Sequence, residues 1–247
     1  MSSEQKIREA RREDMPAVYD LAYRAFIHDP VFNYFGDLKT MMELETEGTV
    51  APKGKAARHA FLRIIAGMCF CHGGRIVVAE IDGKLVSVVA WYPPRKRVPV
   101  WNVVSLVRNG GLSTFKEWGL RGLRRVAVEF MDPAEDSLHR AFKAHGRPAS
   151  DNDRSWYLAL AGTDPEFQGR GIVSRLIQEG IDRAPGEDFT LTANTPHAAS
   201  VYRRLGFETF EVERLGVGRV DERGLPASGE NAEGVPYEVM IYVSAGI

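Results

Sequence analysis

Gln168-Gly169-Arg170-Gly171, followed by Ser174, is the stretch of this chain whose residue types and spacing most directly imply chemistry. It follows a β-rich run, Tyr157–Ala161, and an Asp164-Pro165 stop. It opens a segment whose apolar residues, Ile172, Leu176, Ile177 and Ile181, recur at helical spacing. The first N–H groups of a helix have no partner inside it, and the helix dipole favours negative charge there. Glycines let the main chain bend into a nest of N–H groups and let an anion approach without a Cβ in the way. A strand, a Gly-rich turn and a helix start therefore predict a receptor for phosphate or pyrophosphate. Gln168 and Arg170 add side-chain donors and Ser174 a hydroxyl. A Walker loop would carry Lys-Ser or Lys-Thr after the last glycine, where this chain has Ile172-Val173. A dinucleotide fingerprint needs a third glycine at position 174, which is Ser. A tight turn with no ligand remains an alternative for Gly169-x-Gly171 taken alone.

The elements that must position this turn are legible in outline. Ile7–Ala10 reads as a first strand, and Asp14 with Pro16 as a helix start. Asp29-Pro30 is a break, residues 43–56 a polar connection, and Ala57–Phe70 a helix. RIVVAEIDGKLVSVVAWYPP is a hairpin about Asp82-Gly83. Residues 102–145 hold two or three helices, and HGRPASDNDR is a polar linker. The order from Trp156 on is strand, turn, helix, strand, helix, strand, and the last strand pair is Phe207–Leu215 with Tyr237–Val243. Residues 219–236, rich in Gly, Pro and charge, read as a mobile loop. One domain over 1–247 is expected, with residues 100–150 as a helical insert.

Composition narrows the class. In 247 residues, 44% hydrophobic and 26% charged content suit a globular core, and 32 basic against 33 acidic residues leave a net charge of −1. That balance gives no reason to expect nucleic acid as a partner. The charged start reads as neither a secretory signal nor an anchor, and apolar runs fall short of the roughly 18–20 residues that span a bilayer. A cytoplasmic protein with no membrane partner is expected. Cys69 and Cys71, two apart on a predicted helix, face different ways and read as structural; a metal site beside His72 would need further ligands.

The turn also resembles the coenzyme-A loop of the GNAT superfamily of N-acetyltransferases: Arg or Gln, two residues, Gly, one residue, then Gly or Ala. Here it reads Gln168, Gly171, Val173. LTANTPHAASVYRRLGF resembles the family's later motif, with Asn194 at a strand end, Tyr202 on a helix and Leu205-Gly206-Phe207 before the next strand. More loosely, residues 7–32 and the hairpin at Asp82-Gly83 resemble puromycin-type small-molecule acetyltransferases. Val173 departs from the pattern by placing a β-branched side chain where Gly or Ala is usual.

The resemblance implies an α+β fold, a twisted, mixed, mostly antiparallel sheet flanked by helices, and acetyl transfer from acetyl-CoA to an amine. It implies that strand Tyr157–Thr163 splays from its neighbour, with pantetheine running past Ala161, Gly162 and Thr163, and that Gly162 keeps this approach open. It puts the pyrophosphate on Gln168, Gly169, Arg170, Gly171, Ile172, Val173 and Ser174, and leaves Asn194 either contacting pantetheine or capping the strand. It gives Tyr202 the role of proton donor to the departing thiolate, with core packing as the alternative. The puromycin-like layout favours a small-molecule amine acceptor. A protein Lys or N-terminal acetyltransferase, a silent acyl-CoA-binding module and a nucleotide-phosphate binder are the rival readings. No single general base emerges from Glu80, Glu129, Asp132, His139 and His28. Phe32, Tyr34, Phe35, Trp91, Trp101 and Trp118 are candidate walls of an acceptor pocket. Arg95–Arg97 and Arg121–Arg125 read as solvated faces or as a site for an acidic group. Oligomeric state does not follow from the sequence.

Overall fold

The hairpin about Asp82-Gly83 seeds the sheet. Both residues adopt positive φ, 50° and 80°, the twist that joins two strands through a two-residue turn. In the computed structural model, which describes residues 5–45, 52, 54–97 and 103–244, this turn joins β2 (Arg75–Ile81) to β3 (Lys84–Tyr92). β1 (Gln5–Glu9) pairs with β2, and β4 (Trp156–Thr163) pairs antiparallel with β3. β5 (Phe189–Ala193) lies parallel to β4, and β7 (Val235–Tyr242) runs antiparallel between β5 and β6 (Glu208–Leu215). The order is β1-β2-β3-β4-β5-β7-β6, a seven-stranded mixed sheet with one parallel pair.

That parallel pair is short. Register links Trp156, Tyr157 and Leu158 to Phe189, Thr190 and Leu191, and then stops, while β4 stays bonded to β3 as far as Thr163. The β3–β4 register skips Ala159 between Ala90↔Leu160 and Trp91↔Leu158. A bulge of this kind bends its strand. Past Leu158, β4 and β5 part, and a wedge opens between them.

Helices cover both faces. α1 (Met15–Ala25), α2 (Pro30–Phe35), α3 (Lys55–Cys71) and α6 (Asp132–Ala144) pack on one side, where Val18, Leu21, Leu62 and Leu138 meet Val78, Val88 and Leu160. α7 (Ile172–Arg183) and α8 (Pro196–Arg204) pack on the other, where Ile172, Leu176 and Ile177 meet Val77, Val89 and Trp91. Each such side chain contributes roughly 1.5–3 kcal/mol when fully buried. α7 closes tightly because position 180 is Gly: a Cβ there would stand 2.6 Å from Trp91 Nε1. α4 (Val103–Arg108) and α5 (Gly111–Val126, kinked at Gly119) precede a π-helical turn, Ala127–Met131, that runs into α6. These fill the span read as two or three helices.

Several polar stretches are more ordered than their composition suggests. HGRPASDNDR, read as a linker, ends in a 3₁₀ turn, Ala149–Arg154, with Asp151 and Asn152 buried. Arg147 bridges Asp151 and Asp188 there. Arg97 is no solvated cation: it donates to Asn152, Ser155 and Thr190 and lies over the Tyr157 ring. Arg125 is likewise buried, bonded to Tyr34 O and Asp37. Asp14 precedes α1 but does not cap it with its side chain, which pairs with Arg8 instead. Segment 219–236 carries a bridge between Val220 and Pro226 and rests on α2, where Asn33 donates to Arg223 O. Cys69 is buried and Cys71 exposed, and both are free thiols. No helix among the described residues is long and apolar enough to cross a membrane.

Candidate active site

The Gly-rich turn adopts the geometry its residue types demand. Gly169 and Gly171 have φ of 76° and 66°, the left-handed region that side chains resist, and Gly171 is the N-cap of α7. A Cβ on either glycine would meet nothing within 4 Å, so the backbone conformation, and not crowding, requires glycine there. Among the described residues, no main-chain N–H of residues 169–174 donates to an acceptor in the chain. These N–H groups sit at the positive end of a 12-residue helix, beside the mouth of the β4–β5 wedge. Such an arrangement can receive an anion.

The side chains around the turn brace it. Gln168 Nε2 donates to Thr163 O at 3.2 Å, tying the turn to the end of β4. Arg170 leans over the Phe167 ring, 4.9 Å from its centroid, with its guanidinium on Glu166 O. Val173 is half-buried and packs against the α7-side core. Gly162 has a reason besides the expected one. A Cβ at 162 would stand 2.9 Å from Ala25 Cβ and 2.8 Å from the Phe26 ring, so this glycine admits the end of α1.

The wedge opens into a cavity of about 1330 Å³. Ala161, Gly162, Thr163, residues 168–173, Asn194 and Tyr202 all line it; Ser174 does not. Thr195 caps α8, accepting from Ala198 N–H, with Pro196 in the first turn. This cap fixes the face of α8 that carries Tyr202. The phenol is buried, edge-on to Phe207, and its hydroxyl forms no hydrogen bond with any described residue. Burial, and then the nearby charge of Asp29, push its pKa well above the ordinary phenol value.

Asp29 is the residue that sequence reasoning passed over. It caps α2, accepting from Phe32 N–H at 2.9 Å, and its second oxygen accepts from Asn194 Nδ2 at 3.0 Å. Burial raises its pKa to about 6, against the pull of those two hydrogen bonds and of the Arg58 charge. Arg58 is wholly buried and fixes the turn that presents Asp29, donating to Phe26 O, Ile27 O and Asn33 Oδ1. Only Asp29-Pro30, an N-cap followed by a first-turn proline, marks this position in the sequence.

Of the earlier base candidates, His28 and Asp132 line the cavity. Glu80 is held by Arg8, and His139 pairs with Glu135. Glu129 accepts from Tyr34 and Arg219; burial alone would raise its pKa, but these bonds outweigh it and hold the carboxyl below its ordinary value. Phe32, Phe35 and Trp118 line the cavity, whereas Tyr34 and Trp91 do not, and Trp101 lies outside the described residues.

Residues 141–209 match the family model of the acetyltransferase (GNAT) domain. An uncharacterized N-acetyltransferase of Schizosaccharomyces pombe is 24% identical over 174 residues, 70% of this chain and 62% of the relative. The chain thus spans less than two thirds of that relative's length. A solved structure of histone acetyltransferase HPA2 and related acetyltransferase from Corynebacterium glutamicum superposes with a TM-score of 0.59 at 21% identity, covering 98% of this chain and 97% of that one. A putative arylalkylamine N-acetyltransferase 7 from Aedes aegypti gives 0.59 at 15% identity, covering 96% and 86%. Through residues 141–209 the chain is similar to the GNAT acetyltransferase domain, and its overall fold is that of the solved acetyltransferases.

Proposed function

We propose that the chain transfers an acetyl group from acetyl-CoA to the primary amine of a small molecule, by direct attack with both substrates bound. One observation carries this reading: the unpartnered N–H groups of residues 169–173 and the β4–β5 wedge open into the same cavity as Asp29 and Tyr202. The N–H groups suit a pyrophosphate, and the parted edges of β4 and β5 suit an extended amide-bearing arm. Ala161, Gly162 and Thr163 would flank that arm, with Asn194 across the wedge. When bound, acetyl-CoA supplies the activated acetyl thioester.

The chain's own groups then have distinct tasks. Asp29, ionised above about pH 6, takes a proton from the incoming ammonium. The nitrogen–carbon bond forms and the carbon–sulfur bond breaks. Tyr202, kept protonated by its raised pKa, donates to the departing thiolate. The proton shed by the nitrogen after attack restores the phenol through water, and Asp29 releases its own proton to solvent. Cleft walls that hold both reactants supply the larger part of the acceleration by proximity.

The test is release of free thiol from acetyl-CoA in the presence of a panel of small primary amines, with mass spectrometry of the products. Amine-dependent release with one acetyl added supports the reading. Release that requires a Lys-containing peptide, with none on free amines, would replace it with protein acetylation. Cofactor binding without turnover of either would leave an acyl-CoA-binding module.

A further inference from the structure

The cavity has two chemically different halves. The half beside β4, β5 and α8 is polar enough for a thioester and an amine. The half walled by α2, α3 and α5 is not. Among its lining residues, those from α2, α3 and α5 include no charged side chain, and their one hydroxyl, on Thr114, is turned onto Ala57 O. Phe32, Phe35, Phe61 and Trp118 form a continuous aromatic wall there, with successive centroids 4.9–6.0 Å apart.

The outer end of this half is unusual. Leu112, Phe115, Leu123 and Val128 line the cavity and yet remain 65%, 49%, 50% and 53% exposed. Exposed large apolar side chains concentrated on one segment mark a binding surface. Here they rim the cavity that holds Asp29, so an occupant reaching outward from Asp29 would cover them. The volume, about 1330 Å³, exceeds the roughly 300–1000 Å³ of an ordinary small-ligand pocket. It leaves room for a sizeable body besides the cofactor arm.

We propose that the acceptor is a lipophilic primary amine. Its ammonium lies at Asp29, and its uncharged hydrocarbon body runs along the aromatic wall to the α5 rim. The proposal rests on the acetyl-transfer reading for the chemistry but not for the binding. Polyamines fit poorly, because a second ammonium on the α2–α3–α5 wall would meet no charged side chain there.

The test is calorimetric titration of coenzyme-A-saturated protein with a straight-chain series from ethylamine to octylamine, with spermidine for comparison. Burial of each methylene is worth about 0.8 kcal/mol, so Kd is expected to fall about fourfold per methylene. Spermidine is expected to bind no better than ethylamine. A double variant, Leu112→Ser with Phe115→Ser, alters half-exposed residues and is expected to reduce the slope to below about twofold. A slope near one in the wild type, or tighter binding of spermidine than of octylamine, would overturn the proposal. So would a flat amine series beside a steep series of lengthening acyl-CoA chains, which would give the apolar half to the donor. A flat amine series with sedimentation on phosphatidylglycerol vesicles, lost in the double variant, would assign the rim to a membrane surface and also overturn it. Steep binding of long amines with no acetylated product would uphold the amine site and refute the transfer reading instead.

Discussion

Replacing Asp29 with Asn should make the protein more stable and much less active. The carboxyl moves from an ordinary pKa of 3.8 to about 6 on folding, chiefly through burial. Because the folded state holds this proton more tightly, its advantage is complete below about pH 4 and is lost as pH rises through about 6. At pH 7.5 the ionised group therefore destabilises the fold by up to about 3 kcal/mol, at about 1.4 kcal/mol for each tenfold change in proton affinity. At pH 4.5 the same relation leaves about 1 kcal/mol. Asn keeps the local hydrogen bonds: its amide oxygen can still cap Phe32 N–H, and its NH₂ can face Asn194 after a flip of that amide. Asp29→Asn should thus raise the melting temperature by up to about 6–12 °C at pH 7.5 in a chain of this size, and by about a third of that at pH 4.5. Acetylation should fall by roughly 10²–10⁴-fold, and the rise of wild-type kcat/KM through about pH 6 should vanish. Thermal melts at the two pH values, with kcat/KM across pH 5–8, measure all of this. A variant less stable than wild type at pH 7.5, or equally stabilised at both pH values, would refute the burial argument. An unchanged pH–rate profile would refute the role as base.

Tyr202→Phe retains the edge-on contact with Phe207 and removes only the hydroxyl. It should lower kcat by roughly 10–10³-fold and leave the acetyl-CoA dissociation constant within about twofold, checked by steady-state kinetics beside calorimetry. An equal loss in binding would mean that the hydroxyl helps to hold the cofactor and is not the proton donor. Gly180→Val places a branched side chain where even a Cβ stands 2.6 Å from Trp91 Nε1. It should cost about 1–3 kcal/mol in urea unfolding, because α7 must lift from β3.

What was legible in the sequence divides along physical lines. Gly169, Gly171 and Asp82-Gly83 announced themselves because a positive φ is a local demand that few residue types meet. The α7 amphipathy followed from periodicity, which burial on one face enforces along a whole element, whereas the mixed sheet came from the resemblance. The expectation that Tyr202 and Asn194 share a site came from motif resemblance, since nothing in their own spacing joins them to β4. Asp29 stayed hidden because what distinguishes it comes from elsewhere in the chain: Asn194 is 165 residues away, and Arg58 lies on another helix. Arg97 and the 147–154 stretch misled for the same reason. A polar run looks solvated until its partners, Asp188, Ser155 and Thr190, are brought across the sheet to it. Gly162 was noticed, but its neighbour is Ala25 at the end of α1, 137 positions away in the sequence.

The central claim is that residues 169–174 hold the pyrophosphate of acetyl-CoA, and calorimetric titration of wild type beside Gly171→Asp and Gly171→Asn tests it most directly. Both substitutions tolerate the left-handed φ of 66° comparably, and only one adds a carboxylate at the N-cap of α7. Micromolar binding by wild type, at most about tenfold weakening in the Asn variant and loss by 100-fold or more in the Asp variant would bear it out. No binding by wild type, or equal binding by all three proteins, would contradict it.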